Sequence, residues 1–184
     1  MARRIIGIAG PPGAGKTTYA ERLVAESAVP AAYLPMDGFH LADVALRRLG
    51  LLDRKGAPET FDAWGYAALL RRLRTARETV WAPGFERDLE QPLAGAVALE
   101  PESHLVVTEG NYLLLDRPEW RAVRAELDEV WFLDVPDDLR RRRLVARHTA
   151  YGKTAAEAER WVARVDDPNA RLVAATRPSA DRVL

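Results

Sequence analysis

The sequence contains no cysteine, and this absence removes several kinds of chemistry at once. Disulfide bonds, zinc sites built on thiolates and cysteine nucleophiles are all excluded, and a chain without disulfides suits the cytoplasm. Basic and acidic residues are balanced at 27 each, so general attraction to nucleic acid or to a membrane surface is not expected. No apolar stretch is long enough to cross a bilayer. We therefore expect a cytoplasmic protein whose partners include neither nucleic acid nor a membrane.

The length of 184 residues predicts one domain with a sizeable core, spanning residues 1–184, and leaves a homodimer open. The first residues, Met1-Ala2-Arg3-Arg4 and a short apolar run, imitate the beginning of a signal peptide. Because Gly10-Pro11-Pro12 cuts that run short, we interpret the run as the first strand instead.

The dominant motif is GPPGAGKT, residues 10–17, which follows the apolar run Ile5-Ile6-Gly7-Ile8-Ala9. It fits the phosphate-binding pattern of a glycine, four residues and then Gly-Lys-Ser/Thr. The glycines allow a tight curl in which backbone N–H groups converge on a polyphosphate. Lys16 supplies a cation for the β- and γ-phosphates, and the Thr17 hydroxyl is placed to bind Mg²⁺. The predicted nucleotide-binding residues of the loop are Gly10, Gly13, Ala14, Gly15, Lys16, Thr17 and Thr18.

The alternative interpretation is a glycine-rich turn between a strand and a helix. The flanks favour nucleotide binding, because a β-branched strand precedes the motif and residues 19–24 read as an amphipathic helix. A regulatory GTPase is disfavoured, because its guanine-reading Asn-Lys-x-Asp is missing: the three lysines are Lys16, Lys55 and Lys153, and none follows an asparagine.

Two carboxylates follow apolar runs that predict strands. In open α/β sheets ligands gather beyond the carboxyl ends of strands, so Asp37 and Glu109 are candidates for the phosphate crevice. Asp37 is equally well explained as a turn or cap residue, because Asp-Gly favours turns. Glu109 suits a carboxylate on the magnesium side of the site, the alternative being a solvated strand end.

Alternating strands and helices predict an α/β fold, with five parallel strands and helices on both faces. A short antiparallel excursion or structured loop is expected around residues 79–99. Asp62 could cap the helix predicted for residues 63–77. The predicted strands are residues 4–9, 31–36, 104–109, 129–135 and 181–184, and the predicted helices are residues 15–27, 41–49, 63–77, 120–127, 136–152 and one beginning at the Thr154–Glu157 capping box.

The helix after the fourth strand is rich in arginine, and Arg140, Arg143 and Arg147 are spaced to line one side. Arginine runs usually form a solvated face. In a phosphate-transfer protein, a basic helix here could instead belong to a lid of about residues 137–160 that closes over the nucleotide.

These motifs resemble the P-loop metabolite kinases, the group of uridine kinase, pantothenate kinase and phosphoribulokinase. The resemblance covers nearly the whole chain and implies a P-loop NTPase three-layer sandwich with a small helical lid. It rests on GPPGAGKTT, on MDGFH at 36–40, RKGAPETFD at 54–62, TEGNYLLL at 108–115, RLVARH at 143–148 and PNARLVAATRPSAD at 168–181.

The resemblance implies transfer of a phosphoryl group from ATP, with Mg²⁺, to a hydroxyl of a small-molecule acceptor. Asp37 would be the catalytic base beside Lys16, and Glu109 with Thr17 would support Mg²⁺. The other implied contacts are Arg143 and Arg147 to ATP, Asn169 near the adenine, and Asp37, His40, Lys55, Asp62 and Arg87 to the acceptor.

The acceptor side departs from the family pattern. The segment APGFERDLEQP lacks the Tyr-Asp-Phe or Tyr-Asp-His forms of uridine and pantothenate kinases, and Glu86 stands where relatives commonly have aspartate. A nucleoside, a pantothenate-like compound and a sugar all stay open as acceptors. The alternatives are a nucleoside monophosphate kinase, which would need more acceptor-side cations than Lys55 and Arg87, and a P-loop ATPase or regulatory protein without an acceptor.

Overall fold

The computed structural model describes residues 3–184 and contains seven strands and seven α-helices in that range. The strands are β1 (Arg4–Ala9), β2 (Ala31–Pro35), β3 (Val80–Glu86), β4 (Gln91–Leu99), β5 (Leu105–Gly110), β6 (Glu129–Phe132) and β7 (Arg182–Val183). The helices are α1 (Lys16–Ala25), α2 (Asp43–Leu49), α3 (Ala63–Leu73), α4 (Pro118–Arg124), α5 (Asp137–Ala150), α6 (Ala155–Trp161) and α7 (Asp167–Ala174).

Five parallel strands form the main sheet in the order β2-β5-β1-β6-β7, which confirms the predicted α/β fold. In this order the loop after β1 lies between the ends of β5 and β6. Ala9 pairs with Gly110, and Pro35 with Glu109, so β1, β2 and β5 end together at one edge of the sheet. The segments that follow those three strands therefore meet there, as expected for a ligand crevice.

Helices cover both faces of the sheet and make the three-layer arrangement. Side chains of β1 alternate between the two layers, as the period of a strand requires. Ile5 and Ala9 belong to the larger core, which includes residues of α3, α4 and α7. Ile6 and Ile8 belong to a smaller core against α1.

Several elements are shorter than the sequence predicts. The strand predicted for residues 129–135 ends as β6 at Phe132, three residues before its predicted end, and the helix predicted for residues 63–77 ends at Leu73. The predicted C-terminal strand is the two-residue β7. The predicted residues that lie beyond these elements form connections instead. Hydrophobicity alone does not mark where a strand or a helix ends. No helix in the described range has the length and hydrophobicity needed to cross a membrane.

The expected antiparallel excursion is the hairpin β3–β4, which is longer than predicted because β3 runs through Pro83–Glu86. The register shifts between Ala82 and Gly84, around Pro83, which has no N–H to donate to the ladder. The hairpin docks on the 3₁₀ turn Met36–Phe39 that follows β2. A Cβ atom at Gly38 would lie 2.2 Å from the Pro83 carbonyl oxygen, so this close approach requires glycine.

The basic helix α5 corrects one expectation. Arg140 does not share an open side with Arg143 and Arg147, because its side chain is buried at 2% exposure and is paired with two aspartates. Its Nε donates to Asp137 at 3.0 Å and its Nη2 donates to Asp167 at 2.7 Å. Helical spacing places Arg140 on the same side of α5 as Arg143 and Arg147. Because α7 packs against that turn, Arg140 is a structural anchor.

A second buried arginine fixes the start of β1. The Arg3 guanidinium donates to four backbone carbonyl oxygens, those of Ser103 at 2.8 Å, Leu73 at 2.6 Å, Glu100 at 2.9 Å and Pro101 at 3.2 Å. The group thus ties the end of α3 and the loop before β5 to the first strand.

We expect Arg3→Met to lower the free energy of unfolding by about 3 kcal/mol, because several buried carbonyl groups lose a charged donor. Arg4→Met is the matched control, since the Arg4 side chain is 53% exposed and pairs with Glu129 at the surface. The control should cost about 1 kcal/mol or less. Urea denaturation of both variants measures the difference, and equal losses would contradict the role given to Arg3.

Candidate functional site

The loop between β1 and α1 has the backbone that the glycine pattern predicts. Gly13 has a φ of +81° and Gly15 a φ of +94°, conformations that favour glycine. A Cβ atom at Gly13 would lie 2.7 Å from the Arg140 carbonyl oxygen, so the loop packs closely beneath α5. Since α1 begins at Lys16, the N-terminal end of its dipole faces the same crevice.

Lys16 is buried at 7% exposure and is held by neutral partners. Its Nζ donates to the Pro11 carbonyl at 3.1 Å and to Oδ1 of Asn111 at 2.7 Å. Burial lowers the pKa of the ammonium group, and the carboxylates of Glu109 and Asp37 oppose that shift. The cation therefore depends on negative charge nearby, which a polyphosphate would increase.

Glu109 lies beside Thr17 at the end of β5. Its Oε1 accepts hydrogen bonds from the Thr17 hydroxyl at 3.2 Å and from the Tyr33 hydroxyl at 2.9 Å. Burial raises the pKa of this carboxyl group, an effect that Lys16 and the two hydroxyl donors oppose. The alternative of a solvated strand-end carboxylate does not describe a side chain that is 5% exposed.

Asp37 lies in the turn that follows β2 and lines the same cleft as Lys16. Its Oδ2 accepts a hydrogen bond from Nη2 of Arg87 at 2.6 Å. Burial alone would raise the pKa of the carboxyl group, but His40, Arg87 and Lys16 together lower it. Asp37 is therefore ionised at neutral pH, and its carboxylate bonds to the hairpin arginine rather than capping a helix.

His40 is enclosed by aromatic rings. Its ring centroid lies 3.9 Å from that of Phe61 and 5.0 Å from that of Phe85, and its Nδ1 lies 2.9 Å from the Asp37 carbonyl oxygen. Burial lowers the pKa of the imidazole, Asp37 opposes that shift, and Lys55 and Arg87 lower the pKa further. The ring is thus neutral at pH 7.

Both cations on the hairpin side of the cleft already have anionic partners. Lys55 donates to Oδ1 of Asp43 at 2.7 Å and also contacts the Glu90 carbonyl at the hairpin tip. Arg87 is paired with Asp37. The acceptor side therefore has no excess of positive charge in these contacts.

The two outer arginines of α5 differ in their contacts. Nη1 of Arg143 donates to the Ala14 carbonyl of the phosphate loop at 3.1 Å. Arg147 lines the cleft and has no ion pair within residues 3–184. Asn169 also lines the cleft, and its Nδ2 lies 3.4 Å from the Gly56 carbonyl oxygen.

One cleft of about 370 Å³ brings most of the predicted residues together. Asp62 is an exception, because it is exposed and its Oδ1 accepts from the Gly65 N–H at 2.8 Å, so it caps α3 as an Asp there can. The predicted residues that line the cleft are Gly13, Lys16, Thr17, Asp37, His40, Lys55, Arg87, Glu109, Arg147 and Asn169.

The sequence interpretation missed three features of this site. Asn111 holds Lys16, Tyr33 holds Glu109, and His148 lies 2.8 Å from Oδ2 of Asp166 on the α5–α7 side. Asn111 could have been found, because it follows Glu109 directly at the edge where β1 and β5 end. Tyr33 and the His148–Asp166 pair depend on packing between distant segments, for which the sequence has no local signal.

Comparisons with known proteins agree with this geometry. The profile described as an AAA domain matches residues 6–162. An ATP-dependent kinase-like protein of Aspergillus versicolor is 37% identical over 145 residues, which span 73% of this chain and 84% of the relative. A protein of Schizosaccharomyces pombe, provisionally named a uridine kinase, is 34% identical over 171 residues, which span 85% of this chain and 71% of the relative.

A solved structure extends the similarity to the whole chain. A protein of Silicibacter sp. TM1040, provisionally named a fructose transport system kinase, superposes with a TM-score of 0.92 at 39% identity. The match covers 100% of this chain and 90% of that one. All three names contain the word kinase, but one names uridine, one names a fructose transport system and one names no acceptor.

The neutral state of His40 predicts a pH dependence of stability. The folded protein holds the pKa of His40 below 6.5, whereas the unfolded chain restores it, so the unfolded state binds more protons in that interval. Stability contributed by the neutral ring is therefore lost as the pH falls below about 6.5. Asp37, with its lowered pKa, titrates below this window.

We expect His40→Gln to reduce the loss of unfolding free energy between pH 7 and pH 5. Urea denaturation at each pH measures it for both proteins, and the other histidines, His104 and His148, are common to both. Identical pH dependence in the two proteins would contradict a neutral, buried His40.

Proposed function

We propose that this chain, which belongs to the AAA-domain family by its profile and to the P-loop kinases by its relatives, transfers the γ-phosphoryl group of ATP to a hydroxyl group of a small metabolite. The observation that carries the proposal is the single cleft that contains both the phosphate-loop cation Lys16 and the ionised carboxylate of Asp37. A nucleotide binder without an acceptor has no need of the second group.

The oxygen donors around Thr17 fit a magnesium ion. A hydroxyl and a carboxylate 3.2 Å apart are hard ligands, and a buried carboxyl group with a raised pKa gains from a nearby cation. Mg²⁺ usually takes its remaining ligands from phosphate and water, so two protein groups, Thr17 and Glu109, are sufficient. When bound, the ion would neutralise charge on the β- and γ-phosphates.

Residues of the chain itself would bind the phosphates and orient the acceptor hydroxyl. The loop residues Gly13–Thr18 and the N-terminal end of α1 would bind the phosphates, with Lys16 on the β/γ side. Asp37 would orient the acceptor hydroxyl and accept its proton. A carboxylate with a lowered pKa is a weak base, but in a loose transition state the proton leaves late, so orientation matters more than basicity.

Arg87 would keep Asp37 in place and ionised until the acceptor arrives. The 2.6 Å contact occupies one carboxylate oxygen and leaves the other for the substrate hydroxyl. His40, whose ring packs against Phe61 and Phe85, lines the cleft and would contact the acceptor. Lys55 would act on the acceptor through the loop that it ties to the hairpin.

The charge pattern favours a neutral acceptor over a nucleoside monophosphate. A phosphate on the acceptor would need free cations, and Lys55 and Arg87 are committed to Asp43 and Asp37. Arg143 and Arg147 belong to the proposed lid, residues 137–160, and would bind ATP phosphates with Asn169 nearer the base. Nucleosides and sugars are neutral, and a pantothenate-like compound carries one carboxylate instead of a phosphate, so these acceptors fit the charge pattern better than a nucleoside monophosphate.

An acceptor screen tests the function. ATP consumption with Mg²⁺ should be slow alone and should rise with one compound from a panel that includes uridine, pantothenate and D-fructose, with a phosphorylated product seen by mass spectrometry. ATP hydrolysis that no acceptor changes would instead indicate an ATPase. Uridine monophosphate in the panel tests the nucleotide alternative.

We expect Asp37→Asn to lower phosphoryl transfer by roughly 10²–10⁴, the range for loss of a general base. ATP binding should persist, because the phosphate loop is separate from Asp37. Asp116→Asn is the matched control, since this exposed aspartate bonds only to Arg121 at the surface. Retained transfer in folded Asp37→Asn would overturn the catalytic role.

We expect Lys16→Ala to lower turnover by roughly 10²–10³ or more, because one preorganised charge-stabilising group is lost. Circular dichroism should show that the fold survives. An active Lys16→Ala enzyme would contradict transfer at this loop.

A further inference from the structure

Asn111 occupies a position at the centre of the cleft that the proposed chemistry has not used. It follows Gly110 at the carboxyl end of β5, directly beside the phosphate loop that follows β1. Its side chain lines the cleft together with Pro12 and Gly13. The contact with Lys16, at 2.7 Å, is the shorter of the two hydrogen bonds that the ammonium group makes.

The Lys16 contact fixes the orientation of the Asn111 carboxamide. An ammonium group has three N–H donors and no acceptor, so the carboxamide atom that faces it must be the oxygen. The amide nitrogen, Nδ2, with its two N–H donors, consequently points away from Lys16. An Asn side chain can often be turned either way, but here the partner decides the choice.

The Nδ2 atom of Asn111 lies close to Lys16, but its N–H groups point away from the ammonium group. The oxygen and nitrogen of a carboxamide are roughly 2.2 Å apart, so Nδ2 is within about 5 Å of the Lys16 Nζ atom. Within residues 3–184, Nδ2 makes no hydrogen bond that meets ordinary geometric limits.

The neighbouring Tyr112 hydroxyl donates to the Gly56 carbonyl oxygen, and no hydrogen bond between it and Asn111 meets geometric limits within residues 3–184. Burial raises the pKa of this hydroxyl group, and the nearby Asn111 side chain opposes that shift. If one N–H of Nδ2 points toward Tyr112, the second is still available to a ligand in the cleft.

We propose that Asn111 binds the γ-phosphoryl group of ATP by donating a hydrogen bond from Nδ2 to one of its oxygens, beside the Lys16 ammonium. The inference rests on the proposed function for the nucleotide but needs no particular acceptor. A neutral donor suits this position, because an aspartate would repel the phosphate and a lysine would repel Lys16. The competing explanation is that Asn111 merely positions Lys16.

The two explanations differ in how they treat ADP and ATP. Lys16 acts on the β- and γ-phosphates, so a residue that only positions Lys16 affects both nucleotides. A donor to the γ-phosphoryl group affects only the triphosphate. The experiment therefore measures the dissociation constants of ADP and of a non-hydrolysable ATP analogue, each with Mg²⁺, by isothermal titration calorimetry, and compares their ratio between variants.

We expect Asn111→Ala to weaken the ATP analogue relative to ADP by roughly tenfold, the size of one lost hydrogen bond to a charged group. Asn111→Asp keeps an oxygen toward Lys16 but has no donor, so the ratio should shift further in the same direction. Asn111→Ala adds no charge, so a shift that both Asn111 variants share reports the lost donor and not the added charge.

Equal weakening of ADP and the ATP analogue in both Asn111 variants would overturn the proposal and leave a positioning role. A shift in Asn111→Asp with none in Asn111→Ala would also overturn it, because the added charge alone would then explain the shift. Thermal melting checks that each variant is folded. Failure of the wild-type protein to bind either nucleotide would overturn the proposed function itself, whereas failure of every acceptor in the screen would leave this ratio unaffected.

Discussion

The site depends on one buried ammonium group. Lys16 is nearly inaccessible to solvent, and burial lowers its pKa, so the charge that makes it useful to a phosphate is costly to keep. The carboxylates of Glu109 and Asp37 oppose that shift. Within residues 3–184 neither forms an ion pair with the ammonium group, whose hydrogen bonds go to neutral oxygens, so a nucleotide would not have to break an ion pair to reach Lys16.

Toward the hairpin, the charges are instead paired directly. The carboxylate of Asp37 is balanced by Arg87 from the hairpin, and Lys55 is balanced by Asp43, so both of these cations have an acidic partner from another segment. Arg87 can approach Asp37 because Gly38 lets the hairpin pack closely against the end of β2. Gly38, which has no side chain, therefore supports the pairing of charges on the hairpin side of the cleft.

The sequence predicted the phosphate loop and the sheet well, because both depend on local signals. Gly13 and Gly15 mark the loop, and Asp37 and Glu109 end apolar runs. Prediction failed where a residue's neighbours come from far along the chain. Helical spacing could not reveal that Asp167 buries Arg140, and composition could not reveal that Pro83 continues a strand. Asp62 could be read as a cap or as a substrate contact until the position of the cleft was known.

The anchored start of α5 makes the two remaining arginines unequal. Arg140 is fastened to Asp167, and its turn presses on Gly13, so the first half of the helix is immobilised against the floor of the site. If the helices above the cleft close over it, the hinge of that movement must lie beyond the first half of α5. Arg143, although it lies inside the proposed lid of residues 137–160, would then stay bonded to the phosphate loop, and only Arg147 would move when the nucleotide binds or leaves.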